Sequence, residues 1–260
     1  MICFPNAKIN LGLHILSKRA DGYHNIETVF YPIDLCDALE IVPAEEGTTV
    51  FTPTGIPVDG RPEDNLVMRA LSLLKEDYDL PEIAIYLRKQ IPHGAGLGGG
   101  SSDGAFMIQL LNDFSGLHLS IEAMEAYARQ LGSDCPFFIR NQPVFAEGTG
   151  SVFSPVSISL RGYHILVVKP TVSVSTKEAY AGVIPHQPDL PLKEVIRRPV
   201  SEWRNHLVND FEPGIFAQYP EIGEIKQRLY AEGAIYASMS GSGSAVFGIF
   251  DGEVKIAKVG

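Results

Sequence analysis

Pro92-His93-Gly94-Ala95-Gly96-Leu97-Gly98-Gly99-Gly100-Ser101-Ser102 is the stretch from which this 260-residue chain reads outward. Five of the seven residues from Gly94 to Gly100 are glycine. Stripped of Cβ atoms, such a backbone can close its N–H groups on a bulky anion. Upstream, Ile83-Ala84-Ile85-Tyr86-Leu87 is apolar and β-prone and ends in the bases Arg88 and Lys89. Downstream, Ala105, Ile108, Leu111 and Phe114 fall close to one face of a helix. Ser101 or Ser102 is expected to cap that helix, with its orphan N–H groups and positive dipole end aimed into the loop. Strand, glycine loop and helix start together read as a phosphate cradle.

Three readings of the loop compete. A ligand-free turn is the plainest, but a turn rarely needs five glycines. A dinucleotide site is the second, since Gly94-x-Gly96-x-x-Gly99 fits the spacing. That fingerprint, however, wants a strand running almost directly into the first glycine, and Pro92-His93 intervene. It also wants an acidic residue ending the next strand about twenty residues on, where Ser120 to Leu131 reads as helix. A phosphate loop of the Walker type fails because no Lys-Ser or Lys-Thr follows the last glycine. The third reading is a nucleoside triphosphate loop of another lineage.

The length suits one large domain or two modest ones, with ample material for a core. Hydrophobic content of 45% and charged content of 20% describe an ordinary globular chain. A net charge of −10 argues against a general nucleic-acid binder. It does not argue against a phosphorylated ligand, for which Lys8, Arg19, Arg88 and Lys89 could build a local positive site. The three cysteines, Cys3, Cys36 and Cys135, are odd in number and form no C-x-x-C pair, which suggests reduced thiols. With no basic-then-apolar leader and no apolar run of spanning length, the expectation is a cytoplasmic protein without membrane contact.

Residues 1–60 look mostly β. Ile9, Leu11, Leu13 and Ile15 alternate with Asn10, Gly12 and His14, the pattern of a half-buried strand. Lys8 and Asn10, two apart, share a face. Asp21-Gly22 signals a hairpin, followed by the aromatic Tyr23 and by His24. Val29-Phe30-Tyr31 and Leu39 to Val42 are further strands. Pro62-Glu63-Asp64-Asn65 begins a helix with Asp64 as the expected cap. Ser120 opens another, with Gly132 as its stop. Pro136 suits the first turn of a short helix, so Asp134 would sit at a helix N-terminus, as a cap or as a charged site residue. Cys135 shows no paired base and reads as structural. Phe145 to Gly150 is a strand with a turn, Tyr163 to Val168 a short buried strand, and Ile222 to Tyr230 a helix. The Gly/Ser loop Ser238 to Ser244 precedes a strand from Ala245 to Phe250.

Taken together, Pro5-Asn6-Ala7-Lys8-Ile9-Asn10-Leu11, Pro92 to Ser102 and Ser238 to Gly243 resemble the three motifs of the GHMP small-molecule kinases. That superfamily contains galactokinase, homoserine kinase, mevalonate kinase and phosphomevalonate kinase. Arg19-Ala20-Asp21-Gly22-Tyr23-His24 and Gly132 to Phe138 narrow the likeness to the 4-diphosphocytidyl-2-C-methyl-D-erythritol kinases. Asp64-Asn65-Leu66 and Phe145 to Gly148 also fit. The resemblance implies an α/β (α+β) two-domain GHMP kinase fold. Residues 1–157 would form a ribosomal-protein-S5-domain-2-like N-terminal domain, and 158–260 a ferredoxin-like C-terminal domain. It implies ATP as co-substrate with Mg²⁺, and phosphorylation of the 2-hydroxyl of a cytidine diphosphate conjugate on the route to isoprenoids. It implies further that Asp134 and Lys8 are catalytic and that Asn10 holds the acceptor hydroxyl. Tyr23, His24 and Tyr180 would read the cytosine, Asn65 would lie near the adenine, and Pro92 to Ser102 would hold the phosphates. No protein ligand for the metal is implied, and a monomer or weak homodimer is expected. Another GHMP-type kinase, for homoserine or mevalonate, and a non-catalytic nucleotide-binding module are the alternatives.

Overall fold

A computed structural model describes residues 1–44, 47–58 and 60–252. In chain order the strands are β1 (Ile2–Cys3), β2 (Asn6–Lys18), β3 (His24–Cys36), β4 (Ala38–Pro43), β5 (Val50–Gly55), β6 (Ile83–Lys89), β7 (Val144–Gly148), β8 (Val152–Pro155), β9 (Tyr163–Val168), β10 (Tyr236–Met239) and β11 (Val246–Asp251). The helices are α1 (Leu66–Asp77), α2 (Gly99–Ser115), α3 (Ile121–Leu131), α4 (Cys135–Arg140), α5 (Thr176–Ala181), α6 (Leu192–Val195), α7 (Glu212–Gln218) and α8 (Pro220–Ala231). They form two compact units. One comprises Met1–Lys8, Pro32–His93 and Gly98–Gln142; the other comprises Ile9–Tyr31, Gly94–Leu97 and Pro143–Gly260. The units interleave along the chain.

The first unit is a four-stranded sheet in the order β1-β4-β6-β5 with α1 to α4. β5 runs parallel to β6, while β1/β4 and β4/β6 are antiparallel. On β6, Ile83, Ile85, Leu87 and Lys89 are the buried alternate residues. A lysine therefore occupies a core register, which is tolerable only with a partner. Lys89 Nζ donates to Asp37 and, at 2.7 Å, to Asp103 of α2. Asp37 also accepts the backbone N–H groups of Gln90 and Ile91. This buried triad ties residues 89–91, which lead into the glycine loop, to the first turns of the helix that leaves it. Lys89 is thereby withdrawn from the open positive site expected for it, and Arg19 is bound at the surface to Asp21.

The caps differ from expectation. Gly98, at φ 71°, is the N-cap of α2, so Ser101 and Ser102 lie within its first turns and cap nothing. A left-handed glycine starts the helix earlier than a serine cap would. For α1 the cap is Asn65, whose side chain accepts the Val67 N–H; Asp64 ends a short 3₁₀ turn and pairs with Arg61. Ser120 and Gly132 bound α3 as expected.

The second unit contains the antiparallel sheet β10-β11-β9, most of the sheet β2-β3-β7-β8, and α5 to α8. Its core gathers Leu13, Ile15, Ile26, Phe211, Ile215, Ile222, Leu229, Met239, Val246 and Phe250. The expected half-buried strand is corrected here: β2 is buried on both faces from Asn6 to Ile15. Its polar side chains lie inside because partners meet them. Asn10 Nδ2 donates to Thr28 Oγ1 at 3.0 Å, and His14 Nδ1 lies 3.4 Å from Asp210 Oδ1. The Gly/Ser loop joins β10 to β11; β10 was not anticipated.

Candidate active site

In the first unit, Lys8, Asp134 and the start of α2 converge. Lys8 Nζ stands 3.6 Å from Asp134 Oδ2, with the lysine buried and the carboxylate about one-third exposed. Burial pulls the Lys8 ammonium below the usual lysine range, and the Asp134 charge partly opposes this. Asp134 occupies the N-cap position of α4 but makes no capping hydrogen bond, so its side chain is turned to Lys8 instead. A Cβ on Gly98 would come within 3.2 Å of the Lys8 side chain and 2.9 Å of Phe138 Cζ. Only glycine lets the loop pass this close to the lysine.

The first intrahelical bond of α2 runs from the Ser102 N–H to the Gly98 carbonyl. The preceding N–H groups of Gly99, Gly100 and Ser101 therefore belong to the helix N-terminus, where an anion is favoured. Beside them is a cavity of about 300 Å³ lined by Phe51, Pro53, Pro62, Asn65, His93 and Gly100, with Lys89 and Asp103 at its wall. Its size and mixed lining suit a small organic ligand. Asp103 has one buried oxygen with no hydrogen-bond partner. Burial above all pushes its carboxyl up to about 8; Lys89 opposes that shift and Asp37 adds to it.

Cys135 is buried, and desolvation pushes its thiol up to about 11, which bars it from thiolate chemistry near neutrality. All three cysteines are free thiols.

In the second unit, Gly94 to Leu97 pack against the Gly/Ser loop. Ser240 Oγ donates to the Gly96 carbonyl at 2.9 Å and accepts the Asn10 N–H at 3.2 Å. The Ala245 N–H donates to the Ala95 carbonyl at 3.2 Å. A Cβ on Gly96 would sit 2.0 Å from the Ser240 carbonyl oxygen, so the two small-residue loops are in backbone contact. Asn209 holds the Gly/Ser loop from beneath, donating to the Met239 and Gly241 carbonyls at 2.8 and 2.9 Å. Asn209 was not identified from sequence; two polar residues between Val208 and Phe211 were the only available signal.

The aromatic group in this unit is also assembled. The His24 and Tyr180 rings are stacked, 4.7 Å apart at 18°, and Tyr180 meets Phe211 edge-on at 4.9 Å. Tyr23 is exposed. The stack leaves no space for a base between His24 and Tyr180, so a base held on Tyr180 would have to displace His24 from that face.

Comparison with known proteins gives this chemistry a lineage. Residues 65–142 match the family model for the GHMP kinases N terminal domain, and 192–260 that for the GHMP kinases C terminal domain. The 4-diphosphocytidyl-2-C-methyl-D-erythritol kinase of Bacteroides fragilis is 59% identical over 261 aligned residues, covering 100% of this chain and 95% of its own. A crystal structure of 4-(cytidine 5'-diphospho)-2C-methyl-D-erythritol kinase superposes with a TM-score of 0.83 at 34% identity, covering 96% of this chain and 90% of its own. Mevalonate kinase of Methanococcus jannaschii superposes with a TM-score of 0.70 over 96% of this chain and 90% of its own, but at 14% identity it shares the fold alone. The expected α/β two-part fold is thus the observed one, and the chain belongs to the GHMP kinases, within the 4-diphosphocytidyl-2-C-methyl-D-erythritol kinase family.

Proposed function

We propose that this protein transfers the γ-phosphoryl group of ATP to the 2-hydroxyl of 4-diphosphocytidyl-2-C-methyl-D-erythritol, a step of the methylerythritol phosphate route to isoprenoid precursors. The observation that carries this reading is the 59% identity, over the whole chain, to a kinase of that name. The Lys8–Asp134 pair beside the N-terminus of α2 supplies chemistry that suits it.

Phosphoryl transfer proceeds through a loose transition state, so positioning and charge stabilisation are what the protein must contribute. Asp134 orients the acceptor hydroxyl and takes its proton as the bond to phosphorus forms. Lys8 neutralises charge growing on the transferred group, in a buried setting that strengthens the interaction. The N–H groups of Gly99, Gly100 and Ser101 receive the phosphates, and the cavity lined by Asn65, Pro62 and His93 receives the adenine. Mg²⁺, for which no protein ligand is assigned, would accompany the ATP phosphates and, when bound, would supply further charge neutralisation. Asn10 helps to hold the acceptor. Tyr23 offers an exposed face for the cytosine, His24 its ring nitrogens, and Tyr180 a second face once His24 moves off it.

We also take the protein to act in the cytoplasm as a monomer or weak homodimer on two small molecules, with 1–157 and 158–260 as its domains. No helix among the described residues is long and apolar enough to cross a membrane.

Release of ADP from Mg-ATP tests the assignment, with the cytidine diphosphate conjugate, homoserine, mevalonate and galactose offered as acceptors. Turnover on the conjugate alone is expected. Turnover on another acceptor would keep the phosphate cradle and discard the roles of Tyr23, His24 and Tyr180. ATP binding without turnover on any acceptor would favour a non-catalytic module.

A further inference from the structure

Away from the phosphate cradle, three side chains converge that the proposed reaction does not use. His14 lies on β2, Asp210 in the segment before α7, and His186 in the loop between α5 and α6. One ligand atom from each lies within 4.8 Å of the other two. His14 Nδ1 is 3.4 Å from Asp210 Oδ1, and His186 Nδ1 is 3.7 Å from Asp210 Oδ2. We propose that His14, His186 and Asp210 form a binding site for a divalent transition-metal ion of the zinc class.

The donor set is the first argument. Two imidazoles and a carboxylate are ligands that zinc takes in three-protein-ligand sites, leaving a fourth position for water. Bonds of about 2.0–2.2 Å in a tetrahedral shell place neighbouring ligand atoms roughly 3.3–3.5 Å apart. The 3.4 Å separation from Asp210 Oδ1 falls inside that range and the 3.7 Å separation from Oδ2 just beyond it, so small rotations of the rings and the carboxylate would bring one atom of each residue to a shared ion.

Preorganisation is the second. The segments carrying His186 and Asp210 are each locked by a main-chain bond to the stretch of β2 that carries His14. The His186 N–H donates to the Ile15 carbonyl at 3.0 Å, and the Asp210 N–H to the Leu13 carbonyl at 2.9 Å. The Ile15 N–H donates to Asp210 Oδ2 at 2.7 Å, fixing the carboxylate plane as an outer-shell partner does in metal sites. The two rings stand edge-on to one another at 87°, so their nitrogens approach from different directions.

Access is the third. His14 and Asp210 are buried, whereas the His186 side chain is 53% exposed, so it forms the open side through which an ion enters. Occupancy would brace the 184–188 loop against β2. It would also fix the residue next to Asn209, whose amide holds the Gly/Ser loop.

The test uses the full chain, stripped with a chelator and dialysed. Zn²⁺ is titrated by calorimetry into wild type, His186→Ala and His186→Gln. Co²⁺ is added separately as a spectroscopic probe. One Zn²⁺ per chain, bound at least tenfold more tightly by wild type than by either variant, is expected. Co²⁺ should give the intense visible bands of a four-coordinate ion, and Zn²⁺ should raise the wild-type melting temperature only. Binding should weaken as pH falls and protons compete for the imidazoles. Equal affinity in wild type and the His186 variants, or no binding by wild type at 100-fold molar excess, overturns the proposal. Because His186 is half exposed, the variants should melt with wild type in chelator, which separates loss of the site from loss of the fold.

Discussion

Replacing Lys89 by methionine keeps a long apolar stem on the buried face of β6 but leaves Asp37 and Asp103 facing each other without a cation. Asp37 retains the Gln90 and Ile91 N–H groups, while Asp103 already has one oxygen without a partner. Breaking a buried ion pair by removing one partner costs about 3–5 kcal/mol. A loss of that size is expected for Lys89→Met at pH 8, read from urea unfolding followed by circular dichroism. The pH dependence follows from the same triad. In the wild type the Asp103 carboxyl is pushed up to about 8, against about 4 for an unfolded aspartate. Between these values the folded chain binds more protons than the unfolded one, so stability falls as pH rises from about 4 to about 8. Asp103→Asn should flatten that slope. The Lys89→Met deficit should shrink on acidification, as protons replace the missing cation. A deficit below about 1 kcal/mol at pH 8, or one that grows on acidification, would refute the reasoning.

Asp134→Asn should lower kcat by about 10²–10⁴-fold with little change in the KM for ATP, the range for loss of an acid–base group; steady-state ADP release checks it. Because Lys8 is held below the usual lysine range, its loss of charge should make kcat fall at a lower pH than an ordinary lysine would. Lys8→Arg should remove that alkaline limb if it retains activity, as a pH–rate profile would show. Tyr23→Ala should raise the KM for the cytidyl substrate by about 5–150-fold, from the roughly 1–3 kcal/mol of base stacking, while the KM for ATP and the melting temperature stay near wild type. Gly98→Ala forces a Cβ onto Phe138 and the Lys8 stem at φ 71°. It should reduce kcat about 10–100-fold through misplacement of the lysine, measured beside a thermal melt.

The glycine loop was legible because its backbone path is written in missing side chains: Gly94, Gly96 and Gly98 all have positive φ, and two of them make close backbone or side-chain approaches. The hairpin at Gly22 and the position of Asp134 at a helix start were legible from local turn and capping chemistry. Both misjudged caps, Ser101/Ser102 and Asp64, lie within a few residues of the true ones. Several residues there can start a helix, and only the tertiary path decides. The two-sided burial of β2 was hidden because its polar side chains look like a solvent face until Thr28 and Asp210 come into view, and Asp210 lies 196 positions from His14. Lys89 read as a free base for the same reason. Its partners are 52 and 14 residues away, and no local pattern joins them.

The two edges of β2 also set a schedule for biosynthesis. One edge finds β3 directly after the Gly22 turn, while around Leu13 the other is closed by Val208 and Asp210. A ribosome adding about 5–20 residues per second leaves that second edge waiting roughly 10–40 s for the 195 positions that separate Ile15 from Asp210. During that interval the nascent chain carries an incompletely paired hairpin rich in isoleucine and leucine, the kind of edge that invites pairing with other chains. Chaperone dependence and yield on expression should therefore respond to synonymous changes that alter translation speed between residues 24 and 210, though the finished enzyme would be identical.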